Sequence, residues 1–255
     1  MLEREGRIKF VYNEPAVLVN AAGREHLVIG DLHIGAERPL IKSGIRVYDA
    51  EGQMLKRIRK ISKEFGVKSL IILGDVKDTI LYPESAENSA LKTFFGELKK
   101  EGFDVIITAG NHDPHLEEIV DCKMVDELIL DDFAFLHGHR WPSDDAMKSK
   151  FLFAGHNHIA IGLRDKSGAY YNQKAWLVAK FVRKYGLEKY PDANKKIQLV
   201  VLPAFNDLIM GMPIGKLPRE ENLSPLFRNR IFDYDGAKIY SLGGDIVGTP
   251  SKMKP

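Results

Sequence analysis

The sequence predicts an α/β fold, with parallel strands covered by helices in its first half and a second, mostly antiparallel sheet in the rest. Three observations carry this. Up to about residue 120, short β-branched runs alternate with longer helical patterns, and the helical stretches are long enough to serve as crossovers. Beyond that point only short strand candidates remain, separated by turn residues.

Glu25 to Ile29 reads as a strand, and Leu55, Ile58, Ile61 and Phe65 mark one face of the helix that follows. Ser69 to Leu73 is a continuous apolar run of the buried-strand type. Leu91, Phe94, Phe95 and Leu98 then stripe a second helix that ends near Gly102. Phe103 to Thr108 is the third strand. After it, Met124–Leu130, Phe133–Leu136, Phe151–Ala154, Ile159–Leu163, Ile197–Leu202 and Lys238–Leu242 are strand candidates, while Tyr170 to Tyr185 fits neither period. No repeat or linker divides the chain. Residues 1–248 are therefore expected to form a single domain, and Thr249 to Pro255 a disordered tail.

Composition narrows the chemistry. With 255 residues, 44% of them hydrophobic, the chain can bury one sizeable core. No stretch approaches the ~20 apolar residues needed to span a bilayer, and the charged start has no apolar run behind it, so a soluble cytoplasmic protein with no membrane partner is expected. The single cysteine, Cys122, offers neither an internal disulfide nor a Cys-rich zinc cluster, which leaves His, Asp, Asn and Glu as metal ligands. A net charge of +2 is far from the basic footprint of a nucleic-acid coat protein.

Six of the eight histidines fall in short segments just after expected strands: Gly30-Asp31-Leu32-His33, Gly110-Asn111-His112-Asp113, His137-Gly138-His139 and Gly155-His156-Asn157-His158. Gly74-Asp75-Val76-Lys77-Asp78 ends a strand in the same way. In open α/β sheets, sites assemble outside the carboxyl ends of the strands, so these loops can converge on one point. Together they supply imidazoles, carboxylates and an amide oxygen, a mixed set suited to Mn, Fe, Ni, Co or Zn. In extended backbone, Asp-x-His and His-x-His would project both side chains to one side, as two ligands of one ion require. Each piece alone has a bland reading: a capping Asp beside a surface His, a solvated His pair, an ordinary Gly-Asp turn. Their joint occurrence at strand ends does not. His26 and His115 fall outside the pattern and are expected to be structural or solvent-exposed.

These segments resemble the signature of the calcineurin-like metallophosphoesterase superfamily, which runs D-x-H, G-D-x-x-D, G-N-H-D/E, H and G-H-x-H. All five blocks lie between Asp31 and His158. The resemblance implies a two-sheet β-sandwich flanked by helices and a dinuclear centre of divalent ions, Mn2+ first, with Ni2+, Co2+, Fe2+ and Zn2+ as alternatives. It gives one ion to Asp31, His33 and His158 and the other to Asn111, His137 and His156, with Asp75 bridging. His137 is preferred to His139 as the ligand of the fourth block. His112 would protonate the leaving oxygen, with Asp113 orienting its imidazole, and Asp78 would fix a ligand histidine. Two such ions can share a hydroxide and clamp the attacking and leaving oxygens of an in-line displacement at phosphorus.

Asp-Leu-His-Ile-Gly, His-Gly-His-Arg-Trp-Pro and Pro203-Ala-Phe-Asn206 are also similar to the ICC-type branch, which includes ligase-associated DNA-repair phosphoesterases. The position between the last two histidines, often Thr or Ser in relatives, is Asn157 here, a change that should leave the ligands intact.

The expected activity is hydrolysis of phosphodiesters in nucleotides or single-stranded nucleic acid. A phosphomonoesterase for small metabolites is the alternative, and a non-catalytic scaffold with the same fold a remote one that the complete histidine set disfavours. Arg38, Lys42 and Arg46 follow the first block and would bind flanking phosphates. Arg140, Trp141 and Phe205 would line the same mouth, where an aromatic ring can stack a base.

Overall fold

The structure is a computed structural model in which residues 6–214 and 222–253 are described. The first half begins with two strands that the patterning did not reveal, β1 (Ile8–Phe10) and β2 (Val17–Ala21), followed by β3 (Arg24–Ile29). A short helix α1 (Arg38–Lys42) and the longer α2 (Ala50–Phe65) lead to β4 (Ser69–Ile72). Then come α3 (Ser85–Lys100), β5 (Asp104–Thr108) and β6 (Lys123–Val125). These six strands form one sheet in chain order. β1, β2 and β3 pair antiparallel, and β3 to β6 run parallel, as right-sized crossover helices require.

Helix α2 starts where the Asp49 side chain accepts the amide N–H of Gly52 at 2.8 Å, an ordinary N-cap. It buries Leu55, Ile58 and Ile61 of the face expected from the sequence, together with Met54, against the sheet, while Phe65 is only partly buried. α3 buries Leu91, Phe94, Phe95 and Leu98 beside it. Each such side chain contributes roughly 1.5–3 kcal/mol on burial.

The second sheet contains β7 (Glu127–Leu130), β8 (Phe133–Leu136), β9 (Phe151–Ala154) and β10 (Ile159–Arg164). It continues with β11 (Tyr170–Lys180), β12 (Gln198–Val201) and β13 (Met212–Pro213), then β14 (Lys238–Ser241) and β15 (Ile246–Gly248). Helices α4 (Arg183–Lys189) and α5 (Pro225–Arg228) lie in the same half of the chain. The strand order is β13-β10-β11-β12-β9-β8-β7, with β14 added on β11 and β15 on β14. Most pairs are antiparallel, but β8, β9 and β12 are parallel to one another. That parallel centre carries two of the histidine segments.

Apolar residues from both sheets meet between them. Val17, Val28 and Ile71 of the first face Phe135, Phe153, Trp176 and Val200 of the second in one cluster. α2 and α3 cover the outer face of the first sheet, while Leu226, Phe227 and Phe232 pack on the outer face of the second. The result is the α/β two-sheet sandwich flanked by helices.

Three sequence expectations change. Met124–Leu130 is not one strand: β6 pairs with β5, β7 pairs with β8, and the chain changes sheet at Asp126. The ambiguous stretch from Tyr170 combines an 11-residue strand with the start of a helix. From Ala175 to Ala179 it is buried at every position, which erases the alternation a half-exposed strand would show. The tail expected to be disordered from Thr249 is ordered through Met253, with a 3-10 turn over Pro250–Lys252 and Pro250 buried. Residues 254–255 lie outside the described residues. No helix among the described residues is long and apolar enough to cross a membrane.

Candidate active site

The five histidine and aspartate segments follow the C-terminal ends of β3, β4, β5, β8 and β9, which are parallel strands within their sheets. One edge of the sandwich therefore collects all five loops. Their backbone is not extended, as the Asp-x-His pattern had suggested. Asp31, His33, Asp75, His156 and His158 have φ of 55°, 40°, 48°, 69° and 41°. Left-handed backbone is uncommon outside glycine and costs of order 1–3 kcal/mol per residue, so the surrounding structure must hold it. Part of that hold is visible: Asp31 N–H donates to Gly74 O at 3.1 Å, His33 N–H to Asp75 O at 2.9 Å, and His156 N–H to the Asp31 carboxylate at 3.1 Å. The side chains converge through these turns and not through a strand's pleat.

Two groups of donor atoms result. Asp31, His33, Asp75 and His158 lie within 4.8 Å of one another, as do Asp75, His137 and His156. Asp75 Oδ2 belongs to both, 3.7 Å from His33 Nε2 and 3.2 Å from His137 Nε2. His33 Nε2 faces His158 Nε2 at 3.3 Å, and His137 Nε2 faces His156 Nδ1 at 3.1 Å. Asn111 Oδ1 is buried and accepts no hydrogen bond from the protein, which leaves it free to ligate a cation. These residues fit divalent metal ions. The loops also pack too closely for side chains at two glycines. A Cβ on Gly110 would lie 2.2 Å from Asp75 Oδ1, and one on Gly74, at φ 66°, would lie 2.7 Å from the His137 ring.

The electrostatics of the site's own side chains are those of carboxylates packed with imidazoles. Burial works against ionised Asp31 and Asp75, yet His158 holds the first carboxyl, and His137 the second, below the usual carboxylate range. Burial pushes His137 down, but its contact with Asp75 and the Asp31 charge overrule this and hold it up at about 9. His33 is likewise raised against burial by Asp78, Asp31 and Asp75. His156 and His139 go to about 4 through burial and the neighbouring His137 charge. His139 is not in either donor group. Its ring centroid stands 5.2 Å from that of His137, so His137 is the better placed of the pair.

His112 sits beside the groups. Its backbone N–H donates to Asp75 Oδ1 at 2.9 Å, and its Nδ1 lies 2.5 Å from the carbonyl oxygen of Asp78. Asp78 Oδ1 also stands 3.3 Å from His33 Nδ1. Asp113 behaves differently from expectation. Its buried carboxylate accepts the backbone N–H groups of Val76 at 2.8 Å, Lys77 at 3.4 Å and Gly110 at 2.8 Å, so it ties two loops together and does not orient the His112 ring. Burial raises its carboxyl pKa, opposed by those amides. The two outlying histidines are structural, as expected: buried His26 contacts Ser69 Oγ and Ala21 O, and His115 contacts Glu118 and stacks on Tyr82.

The residues expected to bind substrate divide. Arg140 and Trp141 line a cavity of about 420 Å³ together with His137, His139, Glu127 and Ser143. Trp141 is 40% exposed, while Arg140 pairs with Asp126 at 3.0 Å. Phe205 does not line a mouth: it is fully buried in the first core, with Arg57 stacked 4.2 Å over its ring. Arg38 is partly buried beside Glu37, Arg46 is exposed, and Lys42 is engaged by both oxygens of Glu84 at 2.7 and 3.0 Å.

Sequence reasoning missed several supports. Glu87, an unremarked residue of α3, is 1% exposed and accepts the N–H groups of Asp78 and Thr79 and the Thr79 hydroxyl. From the other side, the buried ammonium of Lys77 donates to the carbonyls of Thr79, Ile80 and Leu81. The loop from Asp78 to Leu81 is thus held by both. A glutamate among apolar helix positions was the available signal.

This edge of a two-sheet sandwich, with Asp, Asn and His converging from five loops, defines a metal-dependent phosphoesterase site. Residues 26–203 match the family described as calcineurin-like phosphoesterase, and the chain belongs to that family. It is a hydrolase of phosphoester bonds, and the family implies divalent metal. No curated protein matches the chain. Among solved structures, nuclease MPE of Pseudomonas putida is similar with a TM-score of 0.57 and 19% identity, over 91% of each chain. The phosphoesterase Yfce of E. coli is similar at a TM-score of 0.40 and 14% identity, over 88% of this chain and 96% of that one. The first likeness bears on fold, and it agrees with the sandwich described above.

Proposed function

We propose that the chain hydrolyses phosphodiesters of nucleotides or single-stranded nucleic acid at a centre of two divalent ions, with Mn2+ the first to test and Ni2+, Co2+, Fe2+ and Zn2+ as alternatives. The observation that carries this is the single oxygen of Asp75 that faces His33 on one side and His137 on the other. Asp31, His33 and His158 would hold one ion, Asn111, His137 and His156 the other, and Asp75 both. When bound, such ions supply the positive charge that lowers the pKa of an attacking water and neutralises charge developing on the phosphoryl oxygens.

The chain's own residues supply the rest. His112 has Nδ1 turned to the Asp78 carbonyl, which leaves Nε2 to carry a proton to the leaving oxygen. Asp78 steadies His33 and His112 together. Asp113 keeps the Gly74 and Gly110 loops in register. Trp141, 40% exposed with the Lys189 ammonium over one face at 4.1 Å, offers its remaining ring surface beside His137 for a base, and Arg140 a cation for a flanking phosphate. The Pseudomonas putida fold neighbour is described as a nuclease, which supports nucleic acid as the first substrate class to assay.

One observation favours a phosphomonoesterase of small metabolites instead: Lys42 and Arg140 are already paired with Glu84 and Asp126, which weakens a track for a long polyanion. Rates with Mn2+, Ni2+, Co2+, Zn2+ and Mg2+ on bis-p-nitrophenyl phosphate, p-nitrophenyl phosphate, cyclic nucleotides and single-stranded DNA separate the two. Diesters should turn over faster than the monoester. A strong monoester preference with no cleavage of DNA would replace the first reading by the second.

A further inference from the structure

The segment Pro203-Ala204-Phe205-Asn206-Asp207 follows β12 at the same edge of the sandwich and contributes no side chain to either donor group. It grips the first loop from behind. Asn206 is 1% exposed, and its Nδ2 donates to Leu32 O at 2.7 Å and His33 O at 3.3 Å, while its Oδ1 accepts the N–H of Leu208 at 2.9 Å. Its backbone N–H reaches Asp31 O at 3.4 Å, and that of Phe205 reaches Gly30 O at 2.9 Å. The gripping segment is itself braced. Lys174, buried in β11, donates to Ala204 O at 2.8 Å, Asn206 O at 2.7 Å and Asp207 Oδ1 at 2.9 Å. Arg57 of α2 adds bonds to Phe205 O and Asp207.

We propose that Asn206, braced by Lys174, is a positioning residue that holds the Asp31–His33 turn in the conformation needed to bind one of the two ions. Asp31 and His33 both occupy left-handed backbone, a shape their side chains do not favour. An amide at position 206 meets the need from both ends, because it donates to two carbonyls of the turn and accepts an N–H of its own loop. Burying a lysine ammonium against three backbone and carboxylate oxygens fixes the far side of the clasp. The second donor group, Asp75, His137 and His156, stands on other loops, and no contact joins it to Asn206. The clasp should therefore act chiefly on the ion of Asp31, His33 and His158, the residues of the turn it holds.

This inference rests on the dinuclear reading, and one experiment tells their failures apart. The full chain, stripped of metal, is titrated with Mn2+ alone as wild type, Asn206→Ala, Asn206→Ser and Lys174→Met, with binding followed calorimetrically and thermal midpoints recorded. Wild type should take up two ions. Asn206→Ala should weaken one of them about 10–100-fold, the usual scale for loss of an outer support, and spare the other. Asn206→Ser, which keeps a hydroxyl donor, should recover part of that loss, and Lys174→Met should weaken the same ion. If Asn206→Ala does not fold, the serine and Lys174 variants decide the question in its place. Wild-type affinity for both ions in all variants, or an equal loss at both sites that tracks a lower thermal midpoint, overturns the proposal. A wild-type chain that binds a single ion sinks the dinuclear reading instead, and Asn206 is then judged on whether that ion is weakened.

Discussion

The carbonyl oxygen of Asp78 lies 2.5 Å from Nδ1 of His112. A carbonyl only accepts, so Nδ1 carries the hydrogen and Nε2 is the nitrogen left to exchange a proton with substrate. A general acid contributes typically 10²–10⁴-fold, more as the leaving group becomes more basic. His112→Asn should therefore keep both ions and lose activity on that scale toward nucleotide esters, while retaining much more toward p-nitrophenyl esters. Rates on the two ester types, with metal content measured alongside, check this. A lost ion, or an equal factor on both esters, would make His112 a ligand or a binding residue.

Asp113→Asn should give a different profile. The carboxylate accepts backbone N–H groups on two loops, and an amide would turn a donor toward at least one of them. A buried donor left unpaired costs about 1–3 kcal/mol. Thermal unfolding should register that loss, and both ester types should slow by a similar factor. Selective loss on the poor leaving group would return Asp113 to a role on the His112 ring.

The parts of the site legible in the sequence were those carried by side-chain type. Asp31, His33, Asp75, His137, His156 and His158 stand together as their order after strands implied. Backbone shape was not legible: the left-handed turns at Asp31 and His33 are held by the carbonyls of Gly74 and Asp75 in the neighbouring loop, which no local pattern reveals. Phe205 misled because a ring within a motif reads the same whether it packs inward or faces a ligand, and here Arg57 and the first core claim it. Strands β3, β4 and β5 announced themselves as apolar runs between periodic helices. β6 and β7 read as one run because a chain can change sheets at a single residue, Asp126, without changing its composition.

Ion uptake should release protons. His137 is held up at about 9 in the metal-free chain, against about 6.5 when unfolded. A raised imidazole stabilises the metal-free fold fully below about pH 6.5, and that contribution fades as pH rises through about 9. Between those limits an ion must displace the His137 proton, so apparent affinity should rise with pH across the window. Calorimetric titration with Mn2+ in buffers of different ionisation enthalpy should count at least one proton released, and fewer in His137→Asn. An unchanged count in that variant would place the proton elsewhere.

Trp141 and Lys42 should differ as substrate contacts. Trp141 is exposed on the cavity wall, whereas Lys42 is held by Glu84. Stacking contributes about 1–3 kcal/mol per base. Trp141→Ala should raise KM for an oligonucleotide several-fold or more and leave a small chromogenic diester little changed, with Lys42→Ala near wild type on both. Wild-type kinetics on both substrates in Trp141→Ala would rule out stacking on this ring.

The most direct test of the account is to locate the ions in crystals of the Mn2+-loaded chain by anomalous scattering, in wild type and in Asp75→Asn. Wild type should show two ions about 3.5–4 Å apart, with a carboxylate oxygen of Asp75 between them and Asn111 Oδ1 on the ion shared with His137 and His156. Asp75→Asn should lose occupancy at both positions and with it turnover. A single ion in wild type, with Asp75 directed away from it, would contradict the shared-carboxylate centre on which the proposed chemistry depends.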